Sequence, residues 1–166
     1  HSAGYTVLTP TLSLGIPYRQ QSLPCEAVHT HSIDDDVAEI AHWLNWLKSQ
    51  DHRSIVLLGH SFGSLQLLAY LTAGPDAAVK AFIGASLAEA QIGTTPRADL
   101  VARLESQIHG TRRTLVTERL AYCSKYLSTP QALLSYVRWD QAHTLAALKH
   151  SPVEVRLIMG DADYML

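Results

Sequence analysis

The sequence predicts an α/β fold in which a mostly parallel sheet is flanked by helices. Short apolar runs of strand length alternate along the chain with longer segments that are apolar at every third or fourth residue, and this alternation is typical of a parallel sheet with helical crossovers. The chain has 166 residues, which suits one domain with a buried core. Its composition is 47% hydrophobic and 17% charged, as in globular proteins, and the net charge of −2 with no basic cluster argues against nucleic-acid binding.

The first third of the chain predicts a strand, a loop and a helix. Residues 5–9 form a β-branched and aromatic run closed by a proline, which indicates a strand. Residues 13–31 are rich in Gly, Pro, Gln and Ser and indicate a surface loop. Ser32 is a good N-cap for a helix that should end near Gln50, and residues 34–36 are three aspartates at its positive end.

Two further strands surround a tight turn and a helix. Residues 54–58 form a continuous apolar run without alternation, which predicts a central strand buried on both faces of a parallel sheet. Residues 59–63 form a turn, and the leucines that follow predict a helix that stops near Gly74. Residues 79–84 then predict another short apolar strand.

The second half of the chain predicts an insertion. Residues 98–149 have a helical pattern, including an amphipathic segment at 115–122 and two helices split near Trp139. Because the block is too long for a simple crossover, we expect a helical cap or lid over one end of the sheet. Residues 155–159 predict the last strand, which ends at Gly160.

These elements predict three parts of the chain. Residues 1–90 form the sheet core, residues 91–150 the helical cap, and residues 151–166 return to the core.

The sharpest motif lies between the strand at 54–58 and the helix after it, and it matches G-x-S-x-G with the residues Gly59, His60, Ser61, Phe62 and Gly63. A strand-to-helix turn of this kind lifts the serine hydroxyl above the sheet. Because the residues two positions away on each side come close to the serine, we expect that only glycine fits at 59 and 63. The Phe62 amide would donate to an oxyanion at the helix start. We expect His60 to pack or hydrogen bond under the turn. The alternative is that Ser61 merely caps the helix; a phosphate loop lacks its lysine here.

Residues 54–71 resemble the nucleophile region of the α/β-hydrolases, and residues 152–163 resemble the strand that carries their acid. The resemblance implies a Ser–Asp–His triad in that chain order, with Ser61 as nucleophile and Asp163 as acid; Asp161 stays an alternative. It also implies a serine hydrolase that forms an acyl-enzyme on a small ester-like substrate without a cofactor. Esterase, lipase, thioesterase, amidase and peroxidase-like relatives stay open.

Some parts of the family pattern have no counterpart in this sequence. No histidine follows Asp163, and the early strands with the second oxyanion donor are not matched. Without a base the serine is a weak nucleophile, so we expect this polypeptide alone to be inactive and its parent to be the hydrolase. The alternative is a non-catalytic binding protein or pseudoenzyme of the same fold.

Other residues indicate less. His29 and His31 with the aspartates at 34–36 form only a loose metal-ligand pattern, so we predict no metal site. No apolar stretch is long enough to span a membrane. Cys25 and Cys123 could be free thiols or form a disulfide. Only a disulfide would imply an exported, periplasmic or secreted protein rather than a cytoplasmic one. The oligomeric state is not indicated.

Overall fold

The computed structural model describes residues 4–21, 25–109 and 114–161. In chain order, the strands and helices of these ranges are β1 (Val28–His29), α1 (Ile33–Ser49), β2 (Ile55–His60), α2 (Phe62–Thr72), β3 (Val79–Ala85), α3 (Arg97–His109), β4 (Val116–Leu120), β5 (Cys123–Ser128), α4 (Pro130–Val137), α5 (Gln141–Lys149) and β6 (Glu154–Ile158).

The strands form two separate three-stranded sheets. The first has the order β2-β3-β6 and is parallel throughout, which confirms the predicted α/β class. The second has the order β1-β5-β4, with β1 and β5 parallel and β4 and β5 antiparallel. In the first sheet the carboxyl ends of the strands are in register, so they share one edge.

Helix α1 begins and ends where the sequence predicts. The Ser32 side chain accepts from the Asp35 amide while the Asp35 carboxylate accepts from the Ser32 amide, which together form a capping box. Gln50 is the C-cap. The buried face of α1 includes Ile40 and Leu44 and packs against α2.

Strand β2 forms as predicted, but the prediction that both of its faces are buried was wrong. Ile55 and Leu57 are buried, whereas Val56 is 50% exposed and Leu58 is 68% exposed. The prediction that β2 is a central strand is also wrong for the described residues, since β3 lies in the middle of the sheet and β2 lies at one edge. Helix α2 packs on one face of β2 and β3, and no described element covers Val56 and Leu58 on the other.

Two predictions in the first third of the chain were wrong. Residues 5–9 form no strand, because a strand needs a hydrogen-bonded neighbour and no described strand pairs with them. Tyr5 and Val7 are accordingly exposed. The predicted loop contains the short strand β1, which exists because β5 pairs with it in parallel.

The region predicted to be a helical cap, residues 91–150, is not purely helical. Residues 115–122 were predicted to be a helix, but they contain β4 and the turn that leads into β5. Val116 and Leu120 are both buried, and a spacing of four residues fits one face of a strand as well as one face of a helix. Ala121 has a φ of 49° in the turn, a backbone conformation that no helix uses. Antiparallel pairing therefore decided the structure.

The other helices predicted within residues 98–149 are confirmed. Helix α3 spans the first predicted segment, and α4 and α5 are separated at Trp139-Asp140, where Asp140 is the N-cap of α5. The described helices include none that is long and apolar enough to cross a membrane.

Cys25 and Cys123 form a disulfide, so the alternative of free thiols is wrong. Their Cα atoms are 5.3 Å apart although the residues are 98 positions apart in sequence. The bond attaches the segment before β1 to the first residue of β5, and so links the chain leading into an edge strand of the second sheet to its central strand.

Candidate active site

Ser61 lies in a strained turn between β2 and α2. Its φ of 52° and ψ of −125° place it in a region that residues with a Cβ rarely adopt. It occupies the N-cap position of α2, but its side chain makes no capping hydrogen bond and is exposed. Such strain persists only where the surrounding structure enforces it, and it is common at functional sites.

Backbone hydrogen bonds hold this turn against β3. The Ser61 amide donates to the Ala85 carbonyl at 2.9 Å, and the Ser64 hydroxyl donates to the same oxygen at 3.0 Å. The Ser61 carbonyl in turn accepts from the amides of Ser64 and Leu65. The turn is therefore fixed by groups other than the Ser61 hydroxyl, which is left available.

The two glycines of the motif have different environments. A Cβ on Gly59 would lie 2.7 Å from both the Cα and the amide nitrogen of Ser64, closer than any real side chain allows. A Cβ on Gly63 would meet no described atom within 4 Å. The expectation that both positions admit only glycine is therefore correct for Gly59 and wrong for Gly63, whose missing side chain would point into open space.

Phe62 is the first residue of α2. The first amides of a helix have no acceptor within the helix, so the amides of Phe62 and Gly63 can donate to a ligand at this end. The Phe62 ring is half-buried and lies 5.8 Å from the Tyr136 ring, centroid to centroid. This end of α2 can thus provide hydrogen-bond donors and a partial positive charge beside Ser61.

His60 does not lie under the turn as predicted. Residues in β2 alternate between the two faces of the sheet, and His60 lies on the exposed face with Val56 and Leu58. Packing or hydrogen bonding beneath Ser61 is therefore not its role in this structure.

The predicted acid follows the strand two positions away from β2. His60, Ala85 and Ile158 are register neighbours at the ends of β2, β3 and β6, so the residues after them emerge at one edge. Two strand spacings separate β2 from β6 by about 10 Å. Asp161 is exposed just beyond β6, and Asp163 lies outside the described residues.

A comparison of the sequence with family profiles decides the family. The profile of the Alpha/beta hydrolase family matches residues 1–166. The chain belongs to the Alpha/beta hydrolase family. Curated protein sequences gave no match.

The crystal structure of a monoacylglycerol lipase from Paleococcus ferrophilus has the same fold as this α/β hydrolase chain. The TM-score is 0.57 and the identity is 19%, over 81% of this chain and 56% of the lipase. The chain therefore spans little more than half the length of that lipase.

The described part of this α/β hydrolase chain does not bring a histidine to Ser61. Within residues 4–21, 25–109 and 114–161, no histidine hydrogen bonds with the Ser61 hydroxyl. His143, in α5, has its ring 4.4 Å from that of Trp139, centroid to centroid. The partner that would accept the serine proton is thus not among the contacts described.

Two residues of the loose metal-ligand pattern near the start of α1, His29 and Asp35, make contacts within the fold. His29 stacks on Tyr126 at 4.2 Å, and Asp35 belongs to the capping box. Among the described residues, no group of three or more His, Cys, Asp or Glu side chains is arranged to hold a metal ion.

Sequence reasoning missed a buried polar cluster, which consists of His31, Asp36, Gln66 and Tyr136. The phenol of Tyr136 and the Gln66 amide both donate to Asp36 Oδ2, the latter at 2.8 Å. His31 Nε2 lies 3.1 Å from the Tyr136 hydroxyl. A signal for Asp36 was present, since it shares the apolar stripe of α1 with Ile40.

Burial dominates the electrostatics of this cluster. Desolvation raises the pKa of Asp36 to about 6, although hydrogen bonds from Tyr136 and Gln66 act in the opposite direction. Desolvation also raises the pKa of Tyr136 well above its ordinary value and lowers the pKa of His31. Near neutral pH the cluster therefore contains a neutral imidazole, a neutral phenol and a carboxylate close to its titration range.

Proposed function

We propose that this chain carries the nucleophile of a serine hydrolase that cleaves a carboxylic ester or a similar acyl bond, and that Ser61 is that nucleophile. The observation that carries the proposal is the Ser61 turn, whose positive φ exposes a hydroxyl that does not cap α2. A serine that served only as a helix cap would accept a hydrogen bond from the first turn of that helix.

The reaction proceeds through an acyl-enzyme. Ser61 Oγ attacks the carbonyl carbon of the ester, and the electron pair of the C=O bond moves to the oxygen, which the Phe62 amide stabilises together with a second donor. When the tetrahedral intermediate collapses, the bond to the alcohol breaks and the alcohol leaves with the serine's proton. Water then attacks the carbonyl carbon of the acyl-enzyme, the bond to Ser61 Oγ breaks, and the serine takes back a proton as the carboxylic acid is released.

A histidine must accept the Ser61 proton and pass it to the leaving alcohol. We place this base in the full-length protein outside the described residues, oriented by the carboxylate of Asp163, with Asp161 as the alternative. The register of β2, β3 and β6 supports this assignment, because β2 and β6 are about 10 Å apart and leave room for an imidazole between the residues that follow them.

The substrate of this site is an ester-like small molecule, and its cleavage by a serine nucleophile needs no cofactor. The monoacylglycerol lipase named above acts on an ester, which supports an ester-like small molecule as substrate, while the low identity leaves acyl and alcohol groups open.

The Cys25–Cys123 disulfide supports an oxidising, exported location for the protein.

Labelling of the full-length protein with a fluorophosphonate probe tests the proposal, because the probe phosphonylates only an activated serine. We expect labelling of the wild type and of Ser54→Ala, which removes an exposed serine just before β2, and loss of labelling in Ser61→Ala. Equal labelling of wild type and Ser61→Ala would remove Ser61 from the mechanism. A folded full-length protein that takes no label and cleaves no p-nitrophenyl ester would instead support the non-catalytic binding protein.

A further inference from the structure

We propose that Tyr136 of α4 and Asp36 of α1 are positioning residues that hold the first turn of α2, and with it the Phe62 amide, in the orientation that an oxyanion requires. The inference rests on the proposed role of Ser61 and adds to it the part of the fold that keeps the oxyanion donor in place. Neither residue belongs to the motif around Ser61, and both lie on other elements than α2.

The first contact is between aromatic rings. The planes of the Phe62 and Tyr136 rings are tilted by 56° at a centroid distance of 5.8 Å, a favourable arrangement for an aromatic pair. The Phe62 backbone carries both this ring and the amide that faces the candidate oxyanion position. Fixing the ring therefore limits rotation of the helix start about its own axis.

The second contact lies one helical turn further along α2. Gln66 follows Phe62 by four residues, so both side chains project from the same face of the helix. Gln66 Nε2 donates to Asp36 Oδ2 at 2.8 Å and approaches the Tyr136 hydroxyl at 3.3 Å. Two points of α2 one turn apart are thus held by the same tyrosine, which fixes a direction as well as a position.

The tyrosine is itself held on several sides. Its hydroxyl donates to Asp36 Oδ2 and lies 3.1 Å from His31 Nε2. Asp36 is 1% exposed and Tyr136 is 2% exposed, so water does not compete for these hydrogen bonds. Apolar side chains could fill the same space without the desolvation cost of a carboxylate, but they would not define an orientation.

The experiment compares variants of the full-length protein that remove one contact at a time. Tyr136→Phe deletes the hydroxyl and keeps the ring on Phe62, whereas Tyr136→Leu deletes both. Since loss of an oxyanion donor lowers kcat by about 100-fold or more, we expect partial misplacement to cost about 10-fold in Tyr136→Phe and more in Tyr136→Leu, with KM changed by less than about 2-fold. The inhibition constant of a boronic acid, which forms a tetrahedral adduct on the serine, should rise by the same factor as kcat falls.

A conservative substitution of Asp36 should preserve activity where a non-conservative one does not. Asp36→Asn keeps an oxygen that can accept from the Tyr136 phenol, and it should retain most of kcat, whereas Asp36→Leu keeps the volume without an acceptor and should lose as much as Tyr136→Phe.

Ser128→Ala is the matched control for lost stability. The Ser128 hydroxyl is buried and donates to the His29 carbonyl at 2.9 Å, in the second sheet. Its removal should lower the Tm comparably and leave kcat and boronic acid binding unchanged. The inference is overturned if Tyr136→Phe leaves kcat unchanged, or if Ser128→Ala lowers kcat as much. If the wild type takes no fluorophosphonate at Ser61, the proposed function fails first and this inference with it.

Discussion

Gly59 and the backbone of Ser64 are so close that a Cβ added to Gly59 would lie 2.7 Å from the Ser64 Cα. This approach comes from the way α2 turns back over the end of β2. The same turn holds Ser61 at positive φ and ties it to β3 through the Ala85 carbonyl. The geometry of the candidate nucleophile therefore depends on a glycine that is not itself part of the chemistry.

A pair of alanine substitutions tests this dependence. Gly59→Ala forces the Ser64 backbone to move and should lower the free energy of unfolding by about 3 kcal/mol or more, as overpacking against rigid backbone does. Gly63→Ala has space for its methyl group and lies within α2, so it should be neutral or stabilising by up to about 1 kcal/mol. Urea denaturation of both variants measures the difference, and equal losses would contradict the turn geometry.

The two aspartates after β6 are distinguished by kinetics. If Asp163 orients the catalytic histidine, Asp163→Asn should lower kcat by about 10⁴-fold, the effect known for the acid of a serine triad, while Asp161→Asn should change it only a few-fold. Steady-state ester hydrolysis by the full-length protein measures both. The reverse order would assign the acid to Asp161, and no effect of either would leave the triad without an acid at this strand.

The raised pKa of Asp36 predicts a stability that depends on pH. Between the ordinary value of 3.8 and the folded-state value of about 6, the unfolded chain releases a proton that the folded chain keeps. Stability should therefore fall as pH rises from about 4 to about 6, by about 3 kcal/mol from Asp36, and stay level above that range. Asp36→Asn should lose this dependence when unfolding is followed by urea titration at several pH values.

Asp35 provides a control, because its pKa is shifted in the opposite direction from that of Asp36. Hydrogen bonds from the Ser32 amide and hydroxyl lower the pKa of Asp35, so its contribution is present above its ordinary pKa and is lost as the pH falls through its lowered folded-state value. Asp35→Asn should therefore leave the decline between pH 4 and 6 intact. A wild type whose stability does not decline in that range would show that Asp36 is solvated more than its burial indicates.

The disulfide should contribute strongly to stability. Cys25 and Cys123 are separated by 98 residues, and closing a loop of this length reduces the entropy of the unfolded chain by about 4 to 5 kcal/mol in free-energy terms. Dithiothreitol should lower the Tm of the wild type and have no effect on a Cys25→Ser, Cys123→Ser double variant. A Tm that is insensitive to reductant in both proteins would contradict the bond.

The sequence predicted those parts of the fold that depend on contacts between residues close together in the chain. Ser32 marks the start of α1 because its capping box needs only neighbours three residues away. The Ser61 turn was recognisable because strand, glycine and helix follow one another directly. Its catalytic role stays a proposal, since no contact of the described residues tests it.

Predictions failed where distant pairing decides the outcome. Residues 5–9 have strand composition but no described neighbour to pair with, whereas Val28–His29 form a strand only because β5 lies beside them. Residues 115–122 fit a helix and a strand equally well by spacing, and β5 decided between them. The cluster around Tyr136 could not be found from spacing, because its members come from three distant segments, namely residues 31–36, α2 and α4.

The bridge between Cys25 and Cys123 makes the intervening chain a closed covalent ring that includes Ser61, Asp36 and strand β4. A protease that cuts once inside this ring yields two pieces that remain attached to each other. Nicked protein would therefore migrate as a single species on a non-reducing gel, and a cut in an exposed loop of the ring need not release either half.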